Sequence, residues 1–108
     1  MDKWITIVGT NCADPAREKE YNDWYDNIHL PDVLETPGFI GATRYENTAP
    51  QEGEPKFLAI YEIETDDIEA FAKANMENIA NKREAGRMSD LLVIVSRGQY
   101  KQISSMYK

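Results

Sequence analysis

The feature that most constrains this chain is the order in which two apolar periodicities alternate along it. Lys3 to Asn11 reads as a strand, with Ile5 and Ile7 on one face and Trp4 and Val8 on the other. Asp14-Pro15 supplies an N-cap and a proline at the first helical position. Tyr21, Trp24, Tyr25 and Ile28 then fall at i, i+3, i+4 and i+7, one apolar stripe on a helix. Pro31 disfavours helical geometry at Leu30, so this helix is expected to break or kink near His29. A short turn over Asp32 to Glu35 follows, ahead of the turn signal Pro37-Gly38. Phe39 to Asn47 reads as a second strand, Thr48 to Pro55 as a long hairpin connection, and Phe57 to Glu64 as a third strand. Thr65-Asp66-Asp67 caps a second helix with the inner stripe Ile68, Phe71, Ala72, Asn75 and Ile79. Ser89 to about Ser104 reads as the fourth strand, with Gly98 marking a bulge or bend.

The resulting order, β-α-β-β-α-β, is that of an α+β, ferredoxin-like protomer: a four-stranded antiparallel sheet with two helices on one face. The 108 residues make one domain, 1–108, with no repeat and no linker. Strands 1, 3 and 4 are apolar on both faces, so the face away from the helices is expected to be covered. A second copy of the same sheet is the simplest cover, which predicts a homodimer closed into an α+β barrel.

Charge narrows the function classes. Lys and Arg number 12 against 19 Asp and Glu, a formal charge of −7. No basic cluster longer than Lys82-Arg83 exists, which argues against nucleic acid or an anionic membrane surface as a partner. The longest apolar run, Leu91 to Val95, is far short of the roughly 20 residues of a bilayer span. Trp4 to Val8 is too short and too interrupted by Thr for a secretory h-region. Cys12 is the single cysteine, so no internal disulfide or cysteine cage forms, and the chain reads as cytoplasmic with an ordinary reduced thiol.

The chemically informative stretch is Glu20 to Val33. His29, the single histidine, follows Tyr25 by four residues at the margin of the apolar stripe. A helix C-terminus favours the imidazolium and an apolar wall favours the neutral ring. Those opposing pulls would hold the group near neutrality, where it shuttles protons; a plain C-capping or core histidine is the bland alternative. Tyr21, Trp24 and Tyr25 combine apolar area with hydroxyls, as either core or the walls of a pocket for a planar organic molecule. Asp26, His29 and Asp32 are spaced by three, but the register is interrupted at Pro31 and no second His is present, so no metal is assigned. No glycine-rich phosphate loop is present, and no cofactor is expected.

The segment Tyr21 to Val33, followed by Pro37-Gly38-Phe39 and Arg44-Tyr45, resembles the EthD-like branch of the dimeric α+β barrel superfamily over about residues 18–46. In that branch a tryptophan-containing first helix ends in a histidine-proline turn, and a Pro-Gly turn leads into the second strand. The resemblance implies a dimeric barrel with a ligand cleft between sheet and helices. It carries the histidine position to His29 and the cleft walls to Tyr21, Trp24 and Tyr25. Relatives in the wider superfamily include polyketide cyclases, muconolactone isomerases, decarboxylases and cofactor-free monooxygenases. The monooxygenases lean on an Asn and a Trp, residue types that Asn22 and Trp24 supply.

Three functions follow. The first is a cofactor-independent lyase, isomerase or cyclase acting on a small aromatic or polyketide-like carbonyl compound. In it His29 removes a proton next to the carbonyl, and Tyr25, Tyr45 or Arg44 stabilises the enolate. Arg44 could instead form a surface ion pair with Glu46 or Glu62. The second is an oxygen-dependent, cofactor-free monooxygenase of phenols. The third is a module that binds a small hydrophobic or aromatic molecule without turnover. The fold alone does not choose among them.

Overall fold

The computed structural model describes all residues, 1–108. Four strands, β1 (Asp2–Cys12), β2 (Phe39–Glu46), β3 (Phe57–Thr65) and β4 (Leu92–Lys101), form one sheet in the order β2-β3-β1-β4, with every neighbouring pair antiparallel. A helical segment links β1 to β2 and α3 (Ile68–Glu84) links β3 to β4, which is the ferredoxin-like arrangement. Both helical layers lie on one face. The register Thr10↔Phe57, Val8↔Ala59, Thr6↔Tyr61 and Trp4↔Ile63 sets these side chains on the helix side, and the core gathers there around Tyr21, Tyr25, Val33, Phe57, Ala59, Tyr61 and Leu91.

Two sequence expectations need correction. The first helical segment is irregular near His29, as expected, but it does not end there. After a 3₁₀ turn (Pro15–Arg17) it runs as α1 (Glu18–Trp24), widens into a π turn over Tyr25–His29, and continues as α2 (Leu30–Val33). The Leu30 N–H donates to the Tyr25 carbonyl, five residues back, and the wider turn makes room for Pro31, which has no N–H to give and would clash in a regular helix. The fourth strand is also shorter than Ser89–Ser104, and its irregularity lies elsewhere. Gly98 pairs regularly with Ile7, whereas the register slips between Gly9↔Ser96 and Thr10↔Ile94, so the extra residue is Val95.

The long α3 is fastened along the side that faces the α2–β2 connection. Phe71 meets Phe39 edge to face at 4.8 Å. Thr36 Oγ1 donates to Asn75 Oδ1 at 3.0 Å, the Asn78 amide donates to the Asp32 carbonyl at 2.9 Å, and Lys82 pairs with Glu35 at 2.8 Å. The opposite face of the sheet carries Ile5, Ile7, Leu58, Ile60, Tyr45, Val93 and Tyr100, with Tyr45 53% and Tyr100 56% exposed.

Gly38 is required by the packing of α3. Its φ is +111°, and a Cβ there would stand 2.7 Å from Phe71 Cδ1. Gly53 also has positive φ but nothing within 4 Å. Gly38→Ala is therefore expected to lower the unfolding free energy by about 3 kcal/mol, and Gly53→Ala by only about 1 kcal/mol. Urea unfolding of the two variants checks this; equal losses would mean that the Phe71 contact does not constrain position 38.

Candidate functional site

A cavity of about 330 Å³ lies between the sheet and the underside of α2 and α3. The π turn sets its floor. Tyr25 and His29, the first and last residues of that turn, both face inward, 2% and 9% exposed. The His29 ring is stacked on Trp24 at 4.7 Å between centroids and meets the Tyr25 ring edge-on at 4.8 Å. The Trp24 indole is fixed in turn by donating from Nε1 to the Arg87 carbonyl at 2.9 Å. The Arg87 guanidinium grips buried Asp32 through two contacts of 2.6 and 3.1 Å, which ties the α3–β4 connection to α2. That hydrogen bond and the positive charge hold the Asp32 carboxyl below its usual range.

Burial decides the state of His29. Desolvation pushes its pKa down to about 4, against the partial opposition of Asp32 and with help from the charges of Arg44 and Arg97. No helix end stands at His29 to oppose this burial, and the ring is a neutral imidazole at physiological pH rather than one poised near neutrality. The two cavity phenols behave likewise. The Tyr25 and Tyr61 hydroxyls lie 3.0 Å apart, and burial pushes both above the ordinary phenol range. Two O–H groups sharing one hydrogen bond leave one proton free to donate into the cavity.

Of the seven residues expected at a site, the structure brings Tyr25 and His29 to the cavity wall, with Trp24 directly behind His29. Tyr21 is fully buried one layer away, its hydroxyl 2.6 Å from Thr10 Oγ1 and its pKa pushed up by burial to about 12. Asn22 and Arg44 are held by each other. Arg44 Nη2 donates to Asn22 Oδ1 at 2.8 Å and Nη1 to Asp26 Oδ1 at 2.9 Å, while the guanidinium stacks 4.2 Å from the Tyr25 ring centre. Its acidic partner is therefore Asp26, not Glu46 or Glu62; Glu62 points to the other face of the sheet. Tyr45 lies on that other face too, because it follows Arg44 directly in β2.

The cavity wall also carries Tyr61, Asn75, Arg83 and Arg97, none of them among the seven expected site residues, although Asn75 lies on the inner stripe expected of α3. Tyr61 and Asn75 were within reach of the period-2 and period-3.6 patterns. Arg97 was not, because simple alternation from Leu92 and Ile94 turns it outward; the extra residue at Val95 turns it into the cavity opposite Val8. No three His, Cys, Asp or Glu side chains come close enough to hold a metal ion. Asp26 and Asp32, flanking His29, diverge to Arg44 and Arg87.

A ferredoxin-like sheet with a buried histidine and paired phenols under its helices defines the class: an α+β protein with a ligand-sized cleft between sheet and helices. The chain belongs to the family described as domain of unknown function DUF4286, whose model matches residues 6–89. No curated protein matches the sequence. Among solved structures, HapK from Hahella chejuensis is similar at 16% identity and a TM-score of 0.71, covering 97% of each chain. SnoaB, a cofactor-independent oxygenase from Streptomyces nogalater, is similar at 15% identity and a TM-score of 0.68 over 100% of both chains. An EthD family protein from Bacillus halodurans is similar at 23% identity and a TM-score of 0.53, covering 91% of this chain and 97% of that one. The EthD-like resemblance of residues 18–46 thus agrees with the fold of the whole chain.

The His29 environment makes stability depend on pH. The unfolded chain protonates this residue below about 6.5 and the folded chain only below about 4, so acidification through that window favours unfolding. Urea titrations at pH 7 and 4.5 are expected to show a loss of about 2 kcal/mol in the wild type and a much smaller one in His29→Gln. Asp32, held low by Arg87, acts in the same direction but below the ordinary carboxyl range, outside the window. Parallel pH curves for the two proteins would place the His29 ring in water.

Proposed function

We propose that the cleft binds a small aromatic or polyketide-like carbonyl compound and that His29 is its acid-base group, in a cofactor-independent reaction of the lyase, isomerase or cyclase kind. The observation that carries this reading is a neutral, desolvated imidazole on the wall of an apolar cavity, beside two phenols that stay protonated. His29 takes a proton from carbon next to the carbonyl. The free O–H of the Tyr25–Tyr61 pair donates to the enolate oxygen that forms, and the imidazolium returns the proton at the new position. So weak a base suits a substrate whose C–H lies between two carbonyls or whose phenol ionises readily. Arg44, committed to Asn22 and Asp26, acts behind Tyr25 by holding its ring.

A second reading shares the first step. A substrate phenolate or enolate is electron-rich enough to react with oxygen, and SnoaB, of similar fold, is described as a cofactor-independent oxygenase. Mass spectrometry of reactions with phenolic, polyketide-like and lactone compounds, with and without oxygen, separates the readings. Turnover without oxygen that falls about 10²–10⁴-fold in His29→Gln is the expected result, with kcat/KM holding as pH is lowered until near pH 4. Oxygen-dependent products favour the second reading. Ligand retention without turnover in either protein makes the cleft a binding module.

We also infer that the protein is a homodimer through the outer face of the sheet, whose row of Ile7, Leu58, Ile60 and Val93 is too apolar to stand in water. Sedimentation of the 12.4 kDa chain should show twice that mass, and Ile60→Glu should return it to the monomer. A monomeric wild type would refute the dimer.

A further inference from the structure

The five arginines divide by what they touch. Arg17 pairs with Glu20, Arg44 with Asp26 and Arg87 with Asp32. Arg83 and Arg97 have no acidic partner, and these are the two that line the cavity: Arg83 from the last turn of α3, and Arg97 from β4 just past the bulge. No Asp or Glu is among the cavity's lining residues, although the chain carries 19 of them against 12 Lys and Arg. Asn75 adds a donor on the same wall, since its oxygen already accepts from Thr36 and its amide nitrogen makes no bond within the protein. The rest of the lining is mainly apolar, with Val8, Val33, Phe39, Ile79 and Leu92 surrounding these polar groups. An acidic protein has thus kept one cleft free of acids and provided it with two unpaired guanidiniums.

We propose that the ligand of this cleft is an organic anion, an aromatic or polyketide-like carboxylate, whose carboxylate is taken by Arg83 and Arg97 while its ring system lies on the apolar wall. The proposal rests on the cleft as the ligand site and adds the charge of the substrate to that reading. Arg83 and Arg97 are both exposed at the cleft, open to an incoming anion, and the planar guanidinium fork matches a carboxylate in two-point contact. The anion also completes the electrostatics of the site. Arg97 is one of the charges that keep His29 unprotonated, so a carboxylate on Arg97 relieves that effect and makes His29 a stronger base when substrate is bound.

Titration calorimetry of the full chain with naphthoate and with neutral naphthamide tests the proposal without requiring turnover. The wild type and the Arg17→Gln control should bind the acid about tenfold or more tightly than the amide. Arg83→Gln and Arg97→Gln should each lose most of that preference, and added salt should weaken the acid alone. Equal binding of acid and amide, no binding of the acid at millimolar concentration, or an equal loss in Arg17→Gln would overturn it. The catalytic reading fails separately: His29→Gln should keep the preference for the acid. An acid preference in a protein without turnover would leave this inference standing. Efficient turnover of neutral carbonyl compounds, with no preference for acids, would remove this inference and leave the acid-base chemistry.

Discussion

A proline placed inside a helix is the constraint from which the site is built. Pro31 cannot supply the N–H of a regular turn, and its ring collides with the carbonyl one turn before it. The chain meets this by widening Tyr25–His29 into a π turn and resuming α2 beyond it. Tyr25 and His29, which an unbroken α-helix would set 40° apart, both reach the interior, and the phenol of one stands against the imidazole of the other.

Around this turn the cations are sorted into two kinds. Arg44 and Arg87 act as structural pins. The first is clamped by Asn22 and Asp26 against the Tyr25 ring, and the second clamps Asp32 while its backbone carbonyl receives the Trp24 indole. Both hold the two aromatic neighbours of His29 at fixed orientations, so the imidazole is positioned by stacking rather than by a hydrogen bond of its own. Arg83 and Arg97 hold nothing in the protein. Preorganised apolar walls with a few uncommitted polar groups are what a small-molecule cleft requires.

The fold was legible because its signals are local and redundant: strand alternation, two N-caps, and turn signals at Pro37-Gly38. Asp14 and Asp67 cap as their residue types predict, with side chains accepting from Ala16 and Ala70. The site was legible only where it coincides with the helical stripe, at Tyr25 and His29. Arg97 was hidden because one unpaired residue, Val95, reverses the alternation of everything after it in β4, and no residue type announces such a slip. The state of His29 was misjudged for a related reason. The helix terminus expected at His29 is absent, and residue types do not reveal depth, which governs a titrating ring. Arg44 was assigned acids near it in sequence or on β3, whereas its partners come from α1 and the π turn, across the layer boundary.

The attachment of α3 has a mechanical consequence. Its links to Phe39, Thr36, Asp32 and Glu35 all run to the α2–β2 side, and no hydrogen bond or ion pair joins it to β1 or β4. The helix is therefore anchored by polar links along one margin of the cleft only. Selectivity in such a cleft comes from charge and hydrogen bonding far more than from size.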